Sequence, residues 1–228
     1  MYKYETHLHT APVSKCARAG VRETLEYYKS IGYDGVFITN HFLDGNINID
    51  RSESYENKIN FYFSDYEAGV AIGKEIGLKV FLGVELSYGG GTDFLVYGLG
   101  KEWFLANPQI MELPMKKKLE FMAENGGFVV QAHPFRERDY IDHIRLFPRS
   151  VHAVEIINTS NTDFSNKMSK IYADMYELPQ VAGSDNHGGP KKPDLAGVET
   201  DEPINCEADY ARMVLDGQAK VFTWNRED

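Results

Sequence analysis

Two histidines, His7 and His9, flank Leu8 at the end of the first expected strand, Tyr2 to Leu8. Side chains alternate along a strand with period 2, so both imidazoles of such a pair project to one side. Two imidazoles so placed can bind one metal ion, and they could equally be a pair of surface or core histidines. Four more apolar stretches end in groups of the same chemistry. Val36 to Thr39 leads to Asn40-His41, Phe81 to Val84 leads to Glu85, Phe128 to Ala132 leads to His133-Pro134, and Val181 to Gly183 leads to Ser184-Asp185-Asn186-His187. An imidazole or carboxylate beside a buried strand costs several kcal/mol unless it is paired or metal-bound. One such residue could be a satisfied core group; five strand ends together point to a shared site. Imidazole with carboxylate is the donor set of zinc, manganese or iron, and a carboxylate can bridge two ions. The pattern predicts a multinuclear metal site.

Other polar residues stand outside this pattern. His143 lies in the charged, helix-like stretch Asp139 to Arg145, and His152 precedes a strand at its N-terminal end, so both are expected to be structural or solvated. Lys116-Lys117-Lys118 reads as the exposed face of a helix. Gly89-Gly90-Gly91 is followed by a strand rather than a helix, which makes it a turn and not a phosphate cradle.

What must position the donors is an alternation of short apolar runs with longer segments of helical period. The expected strands are Tyr2 to Leu8, Val36 to Thr39, Val80 to Leu86, Phe94 to Tyr97, Phe128 to Ala132, Ala153 to Ile157 and Gln180 to Ser184. The expected helices are Val21 to Ile31, Tyr55 to Ile76, Gln109 to Glu124, Asn166 to Glu177 and Ala208 to Leu215. Gly32, Gly77, Gly126 and Gly217 each follow a helical segment, where a left-handed residue closes the last turn. The class is α/β. An open sheet gathers its chemistry at one switch point, whereas a barrel presents it at the C-terminal ends of nearly all its strands. The spread of candidate residues favours the barrel. Asn46 to Ser54 is polar and is expected to loop over one end. No repeat or proline-rich linker divides the chain, so residues 1–228 are expected to form a single domain.

The 228 residues are 43% hydrophobic and 25% charged, enough for a sizeable core. Acidic residues outnumber basic ones 34 to 24, and the resulting net charge of -10 disfavours general attraction to nucleic acid or anionic membranes. An anionic substrate would need locally concentrated positive charge. The two cysteines, Cys16 and Cys206, are too few for a disulfide scaffold and lack the CxxC spacing of a structural zinc site. A polar start, and no apolar run near the roughly 20 residues that span a bilayer, make a cytoplasmic location the expectation.

Taken in order, His7-Leu8-His9-Thr10, Thr39-Asn40-His41, Gly83-Val84-Glu85, Ala132-His133-Pro134 and Gly183-Ser184-Asp185-Asn186-His187 make a sequence that resembles the PHP (polymerase and histidinol phosphatase) domain superfamily over nearly the whole chain. The resemblance implies a distorted (β/α)7 TIM-like barrel, two or three divalent ions (zinc, manganese or iron) and metal-dependent hydrolysis of a phosphate monoester or diester. By position it places His7, His9, Glu85 and Asp185 on a first ion, Glu85 and His133 on a second with Glu85 bridging, and His41 and His187 on a third. The third site in the family also draws on a histidine or aspartate shortly after the HxH. Here Cys16 is best placed, either as a ligand favouring zinc or iron or as a small buried cysteine. The second ion often takes a further ligand from the strand after the glutamate, where this chain has Asp93, a ligand or the end of a turn. Asn40 stands where an aspartate often precedes the histidine, which would leave a charged partner missing.

Two ions about 3.5–4 Å apart can share a water, lower its pKa from about 15.7 towards neutrality and hold it as a bridging hydroxide, so no protein nucleophile is required. Asp185 or His187 would move the proton to the leaving alkoxide. Arg18 and Arg136 are expected to fork the phosphate of a small phosphorylated substrate, while Lys191, Lys192 and Arg138 read as ordinary surface charges. The net charge and the lack of a basic stripe argue against long nucleic acid. Four rivals remain. An amidohydrolase also opens with HxH and closes with a strand-end aspartate, though Glu85 and His187 suit it less well. A proofreading exonuclease or phosphotyrosine phosphatase lies within the same resemblance, and a non-catalytic metal-binding module lies outside catalysis.

Overall fold

The computed structural model describes residues 1–225 of the chain; the last three residues of the expected 1–228 domain lie outside it. Its strands are β1 (Tyr2–Leu8), β2 (Gly35–Ile38), β3 (Lys79–Ser87), β4 (Asp93–Tyr97), β5 (Phe128–Ala132), β6 (Ala153–Asn158), β7 (Gln180–Gly183), β8 (Asp194–Thr200) and β9 (Lys220–Asn225). They form one sheet in the order β7-β6-β5-β4-β3-β2-β1-β8-β9. The sheet curls until the residues after β7 meet β1: Asn186 N–H donates to the His7 carbonyl at 3.3 Å, and His9 N–H to the Asn186 carbonyl at 3.0 Å. The result is a nearly closed barrel. The seven expected strands are all present. The added β8 and β9 pair antiparallel with each other, and β8 with the first half of β1. Glycine and charge interrupt the apolar residues of β8, and β9 is largely half-exposed, so neither presents a continuous apolar run.

The expected (β/α)7 alternation is broken at three places: β3 passes to β4 through a short turn, β5 to β6 with no helix between them, and β7 to β8 through the 3-10 turn Gly189–Lys191. The first break also reverses the chain. β4 runs antiparallel to both β3 and β5. The reason is length: five residues, Tyr88 to Thr92, cannot hold a crossover helix, so the chain reverses in a tight turn. Tyr88 N–H donates to the Thr92 carbonyl at 2.8 Å, and Gly89, Gly90 and Gly91 all have positive φ. This reversal brings the first residue of β4, Asp93, opposite Ala132 and Ser87, at the rim where the neighbouring strands end.

The helices are α1 (Val21–Ser30), α2 (Tyr55–Ile76), α3 (Lys101–Ala106), α4 (Met115–Glu124), α5 (Asp163–Met175) and α6 (Glu207–Leu215). Ser54 caps α2 by accepting from Asn57 N–H, and Gly77 closes it with φ 71°. Gly32, Gly126 and Gly217 likewise have positive φ. The expected helix from Gln109 to Glu124 is instead a 3-10 turn, Pro108–Met111, followed by α4. Pro114 divides them, because proline lacks an N–H and disfavours helical backbone in Leu113 before it.

Aromatic residues fill the barrel end remote from the histidines. Tyr210 of α6 packs on Phe37, Tyr97 and Phe128, with ring centroids 4.7, 5.0 and 5.7 Å away. Full burial of each ring contributes about 1.5–3 kcal/mol. Outside the sheet, Phe42, Tyr62, Phe63 and Phe104 form a second cluster beneath α2 and α3. One expectation about the surface is corrected here. Lys116 and Lys117 are exposed, but Lys118 is buried and its Nζ donates to Asp44 Oδ2 at 2.8 Å, because it lies on the inward face of α4. Asn46 to Ser54 is a loop as expected, and it is pinned: Ile47 is buried, and the Asn46 carbonyl and Asn48 N–H bond to Lys15 and Val13. Among the described residues, no helix is long and apolar enough to cross a membrane.

Candidate metal centre

The donors singled out from the strand ends converge at one rim of the barrel. His7 and His9 leave the end of β1 and its extension, and Glu85 lies in β3. His41, His133, Asp185 and His187 follow β2, β5 and β7. Glu85 is the hub: its Oε1 stands 3.2 Å from His7 Nε2 and 3.4 Å from His133 Nε2, and its Oε2 3.5 Å from His9 Nε2 and in contact with His41 Nδ1. Asp185 Oδ1 lies 3.3 Å from His9 Nε2 and 3.6 Å from His7 Nε2. Three overlapping groups of donor atoms each lie within 4.8 Å of one another: His7, His9 and Asp185; His7, Glu85 and His133; and His9, His41 and His187. Asp93 reaches the second group, 3.9 Å from His133, and Cys16 Sγ reaches the third, 3.1 Å from His41 Nε2. The structure thus brings together every metal donor expected from sequence, including Cys16 and Asp93.

The crowding is not resolved by hydrogen bonds. His7 Nε2, His9 Nε2, Glu85 Oε2 and Asp185 Oδ1 are all buried and make none, despite standing so close together. Buried polar atoms left unpaired are costly, and their convergence is the arrangement that a cation satisfies. The donor set of imidazole, carboxylate and thiol suits zinc, manganese or iron.

Local backbone accounts for the approach. His133 and Asp185 both adopt the left-handed region, with φ 30° and 51°. Such conformations cost about 1–3 kcal/mol in non-glycine residues and persist where surroundings enforce them. Glu5, fully buried, supplies part of that enforcement. Its Oε1 accepts from His7 N–H at 2.8 Å and Ser184 N–H at 3.0 Å, while its Oε2 accepts from Tyr28 Oη at 2.7 Å and from Ser184 Oγ. The carboxylate therefore ties the start of the His7 motif to the residue preceding Asp185.

Charge in the centre follows from burial set against neighbours. Burial raises the pKa of Glu85, but the His41 charge and a hydrogen bond to His133 hold it well below the usual carboxylate range. Asp185 is likewise held down against burial by His7 and His9. Burial, with His187 and His41 nearby, lowers His9 well below 6.5 and keeps that imidazole neutral, as a ligand must be. His7 is pushed upward, burial being outweighed by Glu155 and Asp185. Cys16 falls to about 6, because hydrogen bonds to His187 and His41 outweigh burial; the thiolate is the metal-binding form.

An open cleft of about 630 Å³ lies over the centre, lined by Arg18 and Arg136 together with Cys16, His41, Asp93 and His187. Arg136 is half-buried, its Nε makes no hydrogen bond, and its charge faces Asp185, Glu85 and Asp93. Arg18 is exposed at the mouth. Arg138 and Lys191 are surface charges as expected, whereas Lys192 is half-buried and donates to Ser160 Oγ at 2.9 Å. His143 is exposed, in a segment that is a loop rather than the expected helix, and His152 accepts Val129 N–H at Nδ1, a structural role.

Sequence reasoning passed over Glu155. Its Oε1 accepts from His7 Nδ1 at 2.9 Å, and its Oε2 accepts from His133 N–H at 3.0 Å and Asn158 Nδ2 at 2.9 Å. It lies within the apolar run Ala153 to Ile157, the same signal that marks Glu85.

No family model matches the chain, and no curated protein matches it by sequence. Solved structures do match. A two-domain Bacteroides vulgatus protein containing a predicted PHP-like metal-dependent phosphoesterase aligns with 97% of this chain at TM-score 0.68 and 14% identity. This chain spans 64% of that protein. An amidohydrolase from Chromobacterium violaceum, solved with bound sulfate, aligns with 95% of this chain, covering 97% of its own length, at TM-score 0.59 and 13% identity. The lesion-specific endonuclease Q of Pyrococcus furiosus aligns with 96% of this chain and 57% of its own, at TM-score 0.57 and 12% identity. The fold thus serves a nucleic-acid enzyme elsewhere, and the expectation against long nucleic acid rests on this chain's net charge. The chain shares its fold with all three, and the first of them, which contains a predicted PHP-like metal-dependent phosphoesterase, is consistent with the resemblance carried by the motifs.

Proposed function

We propose that this chain is a metal-dependent hydrolase of small phosphate esters. The observation that carries the reading is the juxtaposition, in one cleft, of buried unpaired donors with the half-buried guanidinium of Arg136. His7, His9, Glu85 and Asp185 would hold a first ion, Glu85, His133 and Asp93 a second, and His41, His187 and Cys16 a third, with zinc, manganese or iron the metals such donors suit. Bound there, the ions would supply charge neutralisation and an acidified water.

The chain's own residues do the rest. Arg136 binds non-bridging phosphate oxygens, its fork matching their geometry, and Arg18 at the cleft mouth assists. His187 stands with Nδ1 3.3 Å from Asp185 Oδ1, half-buried on the cleft wall. From there the pair can hold a proton and pass it to the leaving oxygen. Glu5 and Glu155 keep the donors aligned through the reaction.

An amide substrate is the second reading, favoured by the amidohydrolase among the structural neighbours. A panel of phosphomonoesters, phosphodiesters and amides, assayed with chelator and with metal added back, separates the two. Phosphate release that chelator abolishes and metal restores is expected. Arg136→Gln should raise KM for the phosphoester at least about tenfold, since charge-assisted bonds contribute about 1.5–3 kcal/mol. Ammonia release without phosphate release, or unchanged kinetics in Arg136→Gln, would overturn the reading.

A further inference from the structure

Asp65 lies on α2, is 3% exposed, and belongs to none of the three donor groups. Its Oδ2 accepts three hydrogen bonds, from Thr10 Oγ1 at 2.8 Å, Val13 N–H at 3.2 Å and Asn40 Nδ2 at 3.2 Å. The orientation of the Asn40 amide is fixed from its other end. Asn40 Oδ1 accepts Thr10 N–H at 2.7 Å and Ser14 Oγ–H at 2.8 Å, so Nδ2 must face Thr10 Oγ1 and Asp65. With its own proton committed to Asn40, Ser14 Oγ is left as an acceptor. It receives His9 Nδ1–H at 3.1 Å and His41 N–H at 3.1 Å.

Every link is polarised in one direction, from His9 through Ser14 and Asn40 to the carboxylate. The consequence at the other end is a tautomer. A proton on His9 Nδ1 leaves the Nε2 lone pair directed at Glu85 and Asp185, 3.5 and 3.3 Å away. His7 receives the same treatment directly, from Glu155. Carboxylates behind metal-binding histidines set ring orientation and basicity.

On the metal reading above, we infer that Asp65 is a positioning residue for His9 and His41, its charge relayed through Asn40 and Ser14. The asparagine before His41 then lacks no charged partner. The charge has moved one hydrogen bond outward, onto α2.

A strut that merely pinned α2 to the segment after β1 would behave differently, because its loss would not be repaired by moving the charge to position 40. Zinc affinity is measured by competition with a chromogenic chelator, alongside the Tm of the metal-free protein, for the natural chain, Asp65→Asn, Ser14→Ala and the exchange Asn40→Asp with Asp65→Asn. Asp65→Asn should weaken zinc binding about 10–100-fold, and the exchange should return it to within about threefold of the natural chain. Ser14→Ala cuts the relay while leaving the bonds of Asp65 to Thr10 and Val13, so it should weaken zinc binding similarly even if Asp65→Asn fails to fold. An exchange variant that binds no better than Asp65→Asn, or a Ser14→Ala protein with undiminished affinity, overturns the assignment. Zinc binding equally to the natural chain and both single variants removes only the role of Asp65. Zinc failing to bind the natural chain removes the metal reading and this inference with it.

Discussion

One carboxylate, Glu155, holds His7 by its ring and His133 by its backbone. The first bond is 2.9 Å from Nδ1, the second 3.0 Å from the N–H of a residue whose φ is 30°. Two donors, one in β1 and one just after β5, are thereby aligned by a group on β6 that belongs to none of the three donor groups.

Glu155→Gln should lower metal affinity about 10–100-fold, since a neutral amide cannot match the pull of a carboxylate on His7 Nδ1–H. Elemental analysis after dialysis against graded chelator checks it. Full metal retention would show that His7 needs no such support.

Gly183 is required by closeness rather than by its backbone angles. A Cβ there would fall 2.5 Å from the His7 Cβ and 2.7 Å from Glu155 Oε1. Gly183→Ala should destabilise the fold by about 1–3 kcal/mol and spread β7 from β1. Denaturant unfolding of the metal-free protein measures the first effect. An unchanged midpoint would mean that the strands separate freely.

His152 gives a pH signature away from the centre. Burial lowers its pKa below 6.5, and its Nδ1 accepts Val129 N–H, so the folded form keeps it neutral. The unfolded chain binds this proton as pH falls through about 6.5 and the folded chain does not, so its contribution is intact above that pH and is lost below it, until the lower folded pKa is reached. The Tm of metal-free natural protein should therefore fall more steeply between pH 7 and 5 than that of His152→Gln. Parallel profiles would refute the assignment.

Cys16 tests the third donor group. With its thiol at about 6, Cys16 is largely thiolate at neutral pH. Cys16→Ser should lower bound zinc by about one ion per chain while sparing the groups around Glu85, because a hydroxyl is a poor substitute for a thiolate ligand. Unaltered zinc content would make Cys16 a packing residue.

Much of this was legible in the sequence because strand ends are local. His7, His41, Glu85, His133 and Asp185 each follow or interrupt an apolar run, and the runs became β1, β2, β3, β5 and β7. Glu155 carries the same mark, a lone carboxylate in an apolar stretch, and was legible in principle; Glu5, among Lys3, Thr6 and His7, carries no such mark. Asp65 was not. It lies in a helix where a polar residue reads as solvent-facing, and only the folded chain brings it to Asn40, 25 positions away. Lys118 was hidden likewise, since two exposed lysines precede it and its partner Asp44 is 74 residues distant. The direction of β4 was written only in the five-residue length of the turn before it.

Between β7 and β1 the barrel has no continuous strand ladder; it is joined by the two backbone bonds of Asn186 and by side-chain bonds of Thr6 and Glu5, and the donors sit on both banks of that seam. His7 and His9 lie on one side, Asp185 and His187 on the other. A bound cation would therefore act as a rivet across this line of the wall. Stripping it should release the amides of His9 and Asn186 to hydrogen exchange well before those of the β2–β3 ladder.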